Sequence, residues 1–182
     1  MSAAGSMELS EVLTGKKEAI LALWTKRTLD SYTSSGFFKQ AKDPFANPVG
    51  VNIANGLKAL LGLVLDDADL QAYHPPLDQV VRIRAVQDFT PSQAVAPFLE
   101  LKWVIKQVFS SSKDTKVLLP QLDNLDCRID RMALLAFDVY TECRELLYRN
   151  RIRELKSGSA LLTDVACPSA VLRAGLKVVE NE

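Results

Sequence analysis

Apolar residues recur at helical spacing along most of the chain, and the only alternating stretches, Lys116–Leu119 and Gly175–Val179, are too short to predict a sheet. Leu9, Val12 and Leu13 share one face over residues 7–14, where Thr14-Gly15 predicts an interruption. The period resumes from Lys16 with Ile20, Leu21, Trp24, Thr28 and Leu29, which predicts a helix to about Tyr32, before Ser34-Ser35-Gly36. Pro44 and Pro48 forbid a regular helix between them. Asn47-Pro48 reads as a helix start, with Asn at the N-cap and Pro at the first helical position. Val51, Ile53, Ala54, Leu57, Leu60, Leu61 and Val64 carry that helix to about Leu65.

His74-Pro75-Pro76 reads as a break and places His74 on a loop. A helix follows that buries Leu77, Val80, Val81 and the stem of Arg84. It ends in the stretch Arg82–Val95, where Thr90, Pro91 and Gln93 form a capping box for the next helix. That next helix, with Phe98, Leu101, Trp103, Val104, Ile105, Val108 and Phe109, is apolar on more than one side, which predicts a central position. Ser110-Ser111-Ser112 ends it, and residues 113–124 form a connection containing Pro120. From about Leu122 a long helix steps by three and four through Ile129, Met132, Ala136, Val139, Cys143, Leu146 and Asn150, a heptad-like seam. Ser157-Gly158-Ser159 breaks it. The reading is one all-α domain of about six helices over residues 7–157. A flexible leader (1–6) precedes it, and a tail (158–182) follows with a short amphipathic helix after Pro168.

Composition narrows the function classes. Lys+Arg and Asp+Glu stand at 22 each, so no global field favours nucleic acid or anionic lipid. The apolar runs are short and broken by charges, which predicts no membrane insertion, and no secretory signal opens the chain. Three cysteines without a CxxC, Cys127, Cys143 and Cys167, read as reduced, buried structural thiols of a cytoplasmic protein.

Candidate chemistry is sparse. His74 is the single histidine, and so the one weak candidate for a haem or metal ligand. A loop position suits a solvated residue better. Asp66, Asp67 and Asp69 lack calcium-loop spacing and read as helix-exit and capping residues. Arg149, Arg151 and Arg153 alternate with Glu145 and Glu154 nearby and read as a solvated helix end. No serine or cysteine has a histidine placed for a triad, and no phosphate-cradling glycine loop is present. The chain therefore reads as non-enzymatic, with no cofactor or metal.

Three blocks carry a family resemblance: Asp43-Pro-Phe-Ala-Asn-Pro-Val-Gly50, Arg82–Val95, and Leu101-Lys102, with Trp24 upstream. Together they resemble the N-terminal domain of the RsbT co-antagonist (RsbRD) proteins, over roughly residues 8–155. The resemblance implies a globin-like helical fold, usually without haem, serving stressosome signalling as a dimeric sensory or interaction module ahead of a STAS domain. Only about 26 residues follow Lys156, too few for a STAS domain, so a lone sensor-like domain is expected. Its expected partners are a second copy of itself, through apolar surface on the helix 122–157, and an unidentified signalling protein. The alternative is a globin-like sensor that binds haem or a small apolar ligand. The matched positions read structurally: Asn47, Pro48, Thr90, Pro91 and Gln93 start helices, and Arg84, Gln87 and Asp88 are expected to hold the helix corner by hydrogen bonds.

Overall fold

The computed structural model describes residues 8–32, 47–87 and 89–157. Within them the chain is all-α, with six α-helices: α1 (Leu9–Asp30), α2 (Pro48–Leu65), α3 (His74–Ala85), α4 (Pro91–Ser110), the single turn α5 (Lys113–Lys116) and the long α6 (Asp123–Ser157). Turns of 3-10 helix at Leu70–Tyr73 and Leu119–Gln121 join them. The leader, the tail with its Pro168 helix, Cys167, Asp88 and the Asp43–Ala46 part of the first block lie outside the described residues.

By contact density the chain divides between Glu142 and Cys143, inside α6. In the first unit α1 packs on α2 and α4, and α2 packs on α3. α2 buries Ile53, Leu57, Leu60, Leu61 and Val64 completely. It is long and apolar enough to cross a bilayer by composition, but its apolar face forms this core. α4 buries Phe98, Leu101, Val104, Ile105 and Phe109 but leaves Leu99 and Trp103 exposed, so it is less central than its apolarity predicts. α4 and α6 run antiparallel: Lys102 pairs with Asp130 at 2.6 Å and Lys106 with Asp126 at 2.8 Å, numbers rising on one helix as they fall on the other. In the second unit, every residue from Glu145 to Ser157 is exposed.

Three local expectations are corrected. Thr14-Gly15 does not interrupt α1, which runs through it. Gly15 is exposed with open space around its Cα, so its cost is the ordinary glycine penalty of about 1 kcal/mol, offset by buried Val12, Leu13 and Ile20 on either side. His74-Pro75-Pro76 is no break: it is the first turn of α3, where a proline forfeits no helical hydrogen bond. Cys127 is exposed, because it faces away from the buried Ile129, Met132 and Ala136; Cys143 is buried as expected.

The helix starts follow local chemistry. The Asn47 side chain accepts from the Gly50 N–H at 2.8 Å. Thr90 and Gln93 bond reciprocally as a capping box. α2 stops in a left-handed turn: Asp67 has φ 52°, Asp66 N–H donates to Gly62 O and Ala68 N–H to Leu63 O. Asp69 then caps the next turn through the Gln71 N–H.

Candidate functional site

Three helix ends meet at Arg84, and the geometry there starts from a proline. Pro97 lies inside α4 and has no N–H, so the carbonyl four residues earlier, Gln93 O, loses its helical donor. Arg84 supplies the missing bond: Nη2 donates to Gln93 O at 2.9 Å. Both Nη1 and Nη2 also donate to Ser31 Oγ at 3.1 Å, just past the end of α1, and Ser31 Oγ in turn donates to Thr28 O. The guanidinium carbon lies 4.9 Å from the Tyr32 ring centroid and 4.2 Å from that of Phe89, and those two rings meet edge to face. α6 joins the corner as well, because Tyr140 Oη donates to Phe89 O at 2.7 Å.

Arg84 is 0% exposed, so the whole residue is buried and not its stem alone. No carboxylate bonds it among the described residues. Its charge is balanced instead by a freed carbonyl, a hydroxyl, two aromatic faces, and the negative ends of α1 and its own helix α3. Burial pulls the guanidinium below its usual range, while Tyr32 and then Glu100 draw it back up. Burial pushes the Tyr32 phenol above its ordinary value, and the charge and hydrogen bond of Arg84 oppose that. Thr28 Oγ1, Arg84 Nε and Gln87 Oε1 are buried with no hydrogen-bond partner among the described residues.

The structure thus brings Arg84, Thr90, Pro91 and Gln93 together at one corner. Gln87 reaches the same corner, but its side-chain oxygen makes no bond there. Asn47 and Pro48 start α2 at a separate place. Tyr32, Ser31 and Pro97 complete the corner and escaped the sequence reading, while Phe89, inside the Arg82–Val95 block, joins them. The signal for Pro97 was present, a proline seven residues into an apolar helix; the partners Ser31 and Tyr32 are remote in sequence and leave no local trace.

Two surface concavities lie elsewhere in the first unit. A cleft of about 660 Å³ is lined by Glu8, Leu13, Asp66, Asp67, Asn124 and Arg128, among others, and Arg128 Nε pairs with Asp67 at 2.7 Å across it. A recess of about 440 Å³ holds His74, which is exposed at the start of α3 and does not face the core. No group of three metal-ligating side chains occurs among the described residues. In the second unit Arg149 pairs with Glu145 and Arg151 with Glu154, all exposed, as a solvated helix end requires.

No curated protein and no solved structure matches the chain. Among protein families, the RsbT co-antagonist protein rsbRD N-terminal domain matches residues 18–155, a span that contains the Arg84 corner and nearly all of α6. The chain belongs to the RsbRD N-terminal domain family.

Proposed function

We propose that this domain is a non-enzymatic sensor or protein-interaction module of stressosome-type signalling. It works in the cytoplasm, without haem, as a homodimer that also engages a signalling protein. The observation that carries this reading is the large apolar surface of α6. In the second unit Leu146, Leu147, Tyr148, Ile152 and Leu155 are all exposed; in the first, Leu134 and Phe137 are. A helix segment with so many apolar side chains in water is better stabilised against a partner than alone. His74 supports the haem-free part, since a proximal imidazole belongs inside a pocket and this one lies at the surface.

Sedimentation at tens of micromolar, a concentration far above the dissociation constant of a standard-sized interface, tests the dimer (about 1 μM or tighter). A monomer there overturns it. Added haemin tests the cofactor: a shifted, saturable haem absorbance at one equivalent would overturn the haem-free reading.

A further inference from the structure

We propose that the two-fold face of this dimer is the recess on α6 centred between Leu134 and Leu135, with the two α6 helices packed antiparallel. The proposal rests on the dimer reading above and names the surface and the orientation. The recess is built from Leu70, His74, Arg131, Leu134, Leu135 and Asp138. Leu134 is 68% exposed and Leu70 45%, large apolar side chains left in water on a face that ordinary core packing does not use. The buried positions of this stretch, Ile129, Met132, Ala136 and Val139, lie on the other side of the helix.

Charge placement commits the recess to a second copy of itself. Arg131 stands three residues before Leu134, and Asp138 three residues after Leu135. Neither has an ion-pair or hydrogen-bond partner among the described residues, whereas Asp126, Arg128 and Asp130 on the same helix are all paired. A two-fold contact sets residue i against j and j against i. With the axis between Leu134 and Leu135 and the helices antiparallel, Arg131 meets the partner's Asp138, and Asp138 meets the partner's Arg131. Two opposite-charge pairs then flank four central leucines, an apolar centre with a polar rim. Parallel helices on this face would instead set Arg131 against Arg131 and Asp138 against Asp138, which repel. The charge order therefore selects the antiparallel arrangement. Leu70, from the 3-10 turn before α3, and His74, the first residue of α3, widen the contact beyond one helix.

The test is a charge-swap set followed by sedimentation, with far-ultraviolet circular dichroism to confirm that each exposed-site variant keeps its helix content. Arg131→Asp and Asp138→Arg each place like charges at both rim positions, and each weakens the dimer by about tenfold or more. Mixing the two variants in equal amounts restores a dimer, because every rim position again faces its opposite. The double variant Arg131→Asp/Asp138→Arg restores it within a single species. A wild-type dimer whose single variants are unaffected overturns this face while leaving the dimer reading intact. Weakened single variants that neither mixing nor the double variant rescues overturn the antiparallel pairing. A monomeric wild type overturns the dimer reading and this face together.

Discussion

Arg84 fills the hydrogen-bonding position that Pro97 leaves empty. A proline inside α4 removes the N–H that would bond Gln93 O, and the Arg84 guanidinium takes that carbonyl at 2.9 Å from another helix. The two residues are thus coupled through a backbone atom that belongs to neither. Arg84→Met alone leaves Gln93 O without its donor, a buried orphan costing about 1–3 kcal/mol, partly offset by relief of the buried charge. In a Pro97→Ala background the helix supplies its own N–H, so Arg84→Met costs less. The double-mutant cycle from urea midpoints should show a coupling of about 1 kcal/mol or more. Equal costs in the two backgrounds would refute the link.

Tyr32 gives the corner a pH signature. Its folded-state pKa lies above the ordinary value of about 10, with burial as the main cause. Between the unfolded and folded values the folded chain holds a proton that the unfolded chain releases, so stability falls as pH rises through that window. The contribution is fully present below pH 10 and lost above the folded value. Each such proton adds a slope of up to about 1.4 kcal/mol per pH unit. Tyr32→Phe keeps the ring on Arg84 and removes the proton, so unfolding midpoints should fall less steeply above pH 10. Tyr73 is shifted in the same direction by burial, so some alkaline slope remains. An unchanged slope in Tyr32→Phe would mean that the phenol titrates normally.

What was legible in the sequence was local. The capping box at Thr90 and Gln93 and the Asn47 cap are hydrogen bonds across three residues, so residue type and spacing suffice to read them. Two of the corrections, at Gly15 and at Pro75-Pro76, are local signals overruled by burial or by position in a turn. Gly15 looked like a stop because glycine is a poor helix former, yet the flanking core contacts outweigh about 1 kcal/mol. Pro75 and Pro76 looked like a break because their value depends on standing in the first turn, which the sequence does not mark. The Arg84 stem was expected to be buried, but the burial of its guanidinium was hidden for another reason. Its partner Ser31 lies 53 residues away, and a basic residue on an amphipathic helix ordinarily reads as solvated. The family blocks include residues of this corner, but not Tyr32 or Pro97, which complete it.

At Gly56, α2 packs against α3 with no room for a side chain. A Cβ built there runs into Val80 Cγ2 and comes near the Pro76 carbonyl. Gly56→Ala would gain about 1 kcal/mol in helix propensity but overpack the interface by about 1–3 kcal/mol. The expected result is net destabilisation. Val80→Ala in the same chain should recover part of it, since the clash is with that methyl. A Gly56→Ala variant more stable than wild type by the full propensity gain of about 1 kcal/mol would show that the two helices separate without cost.

Asp67 sets two effects of similar size against each other. Its left-handed backbone, φ 52°, costs a non-glycine residue about 1–2 kcal/mol, while its carboxylate pairs with Arg128 at 2.7 Å. Asp67 is well exposed in that pair, so screening limits the pair to about 0–1 kcal/mol. Asp67→Asn removes the charge and keeps a side chain that tolerates this backbone, so it should lower stability slightly. Asp67→Gly removes the pair and the strain together, so it should be neutral or stabilising. Thermal midpoints of the two variants separate the effects. If glycine proves clearly worse than asparagine, the carboxylate is not what matters, and the Asp67 side chain holds the turn by contacts other than its charge.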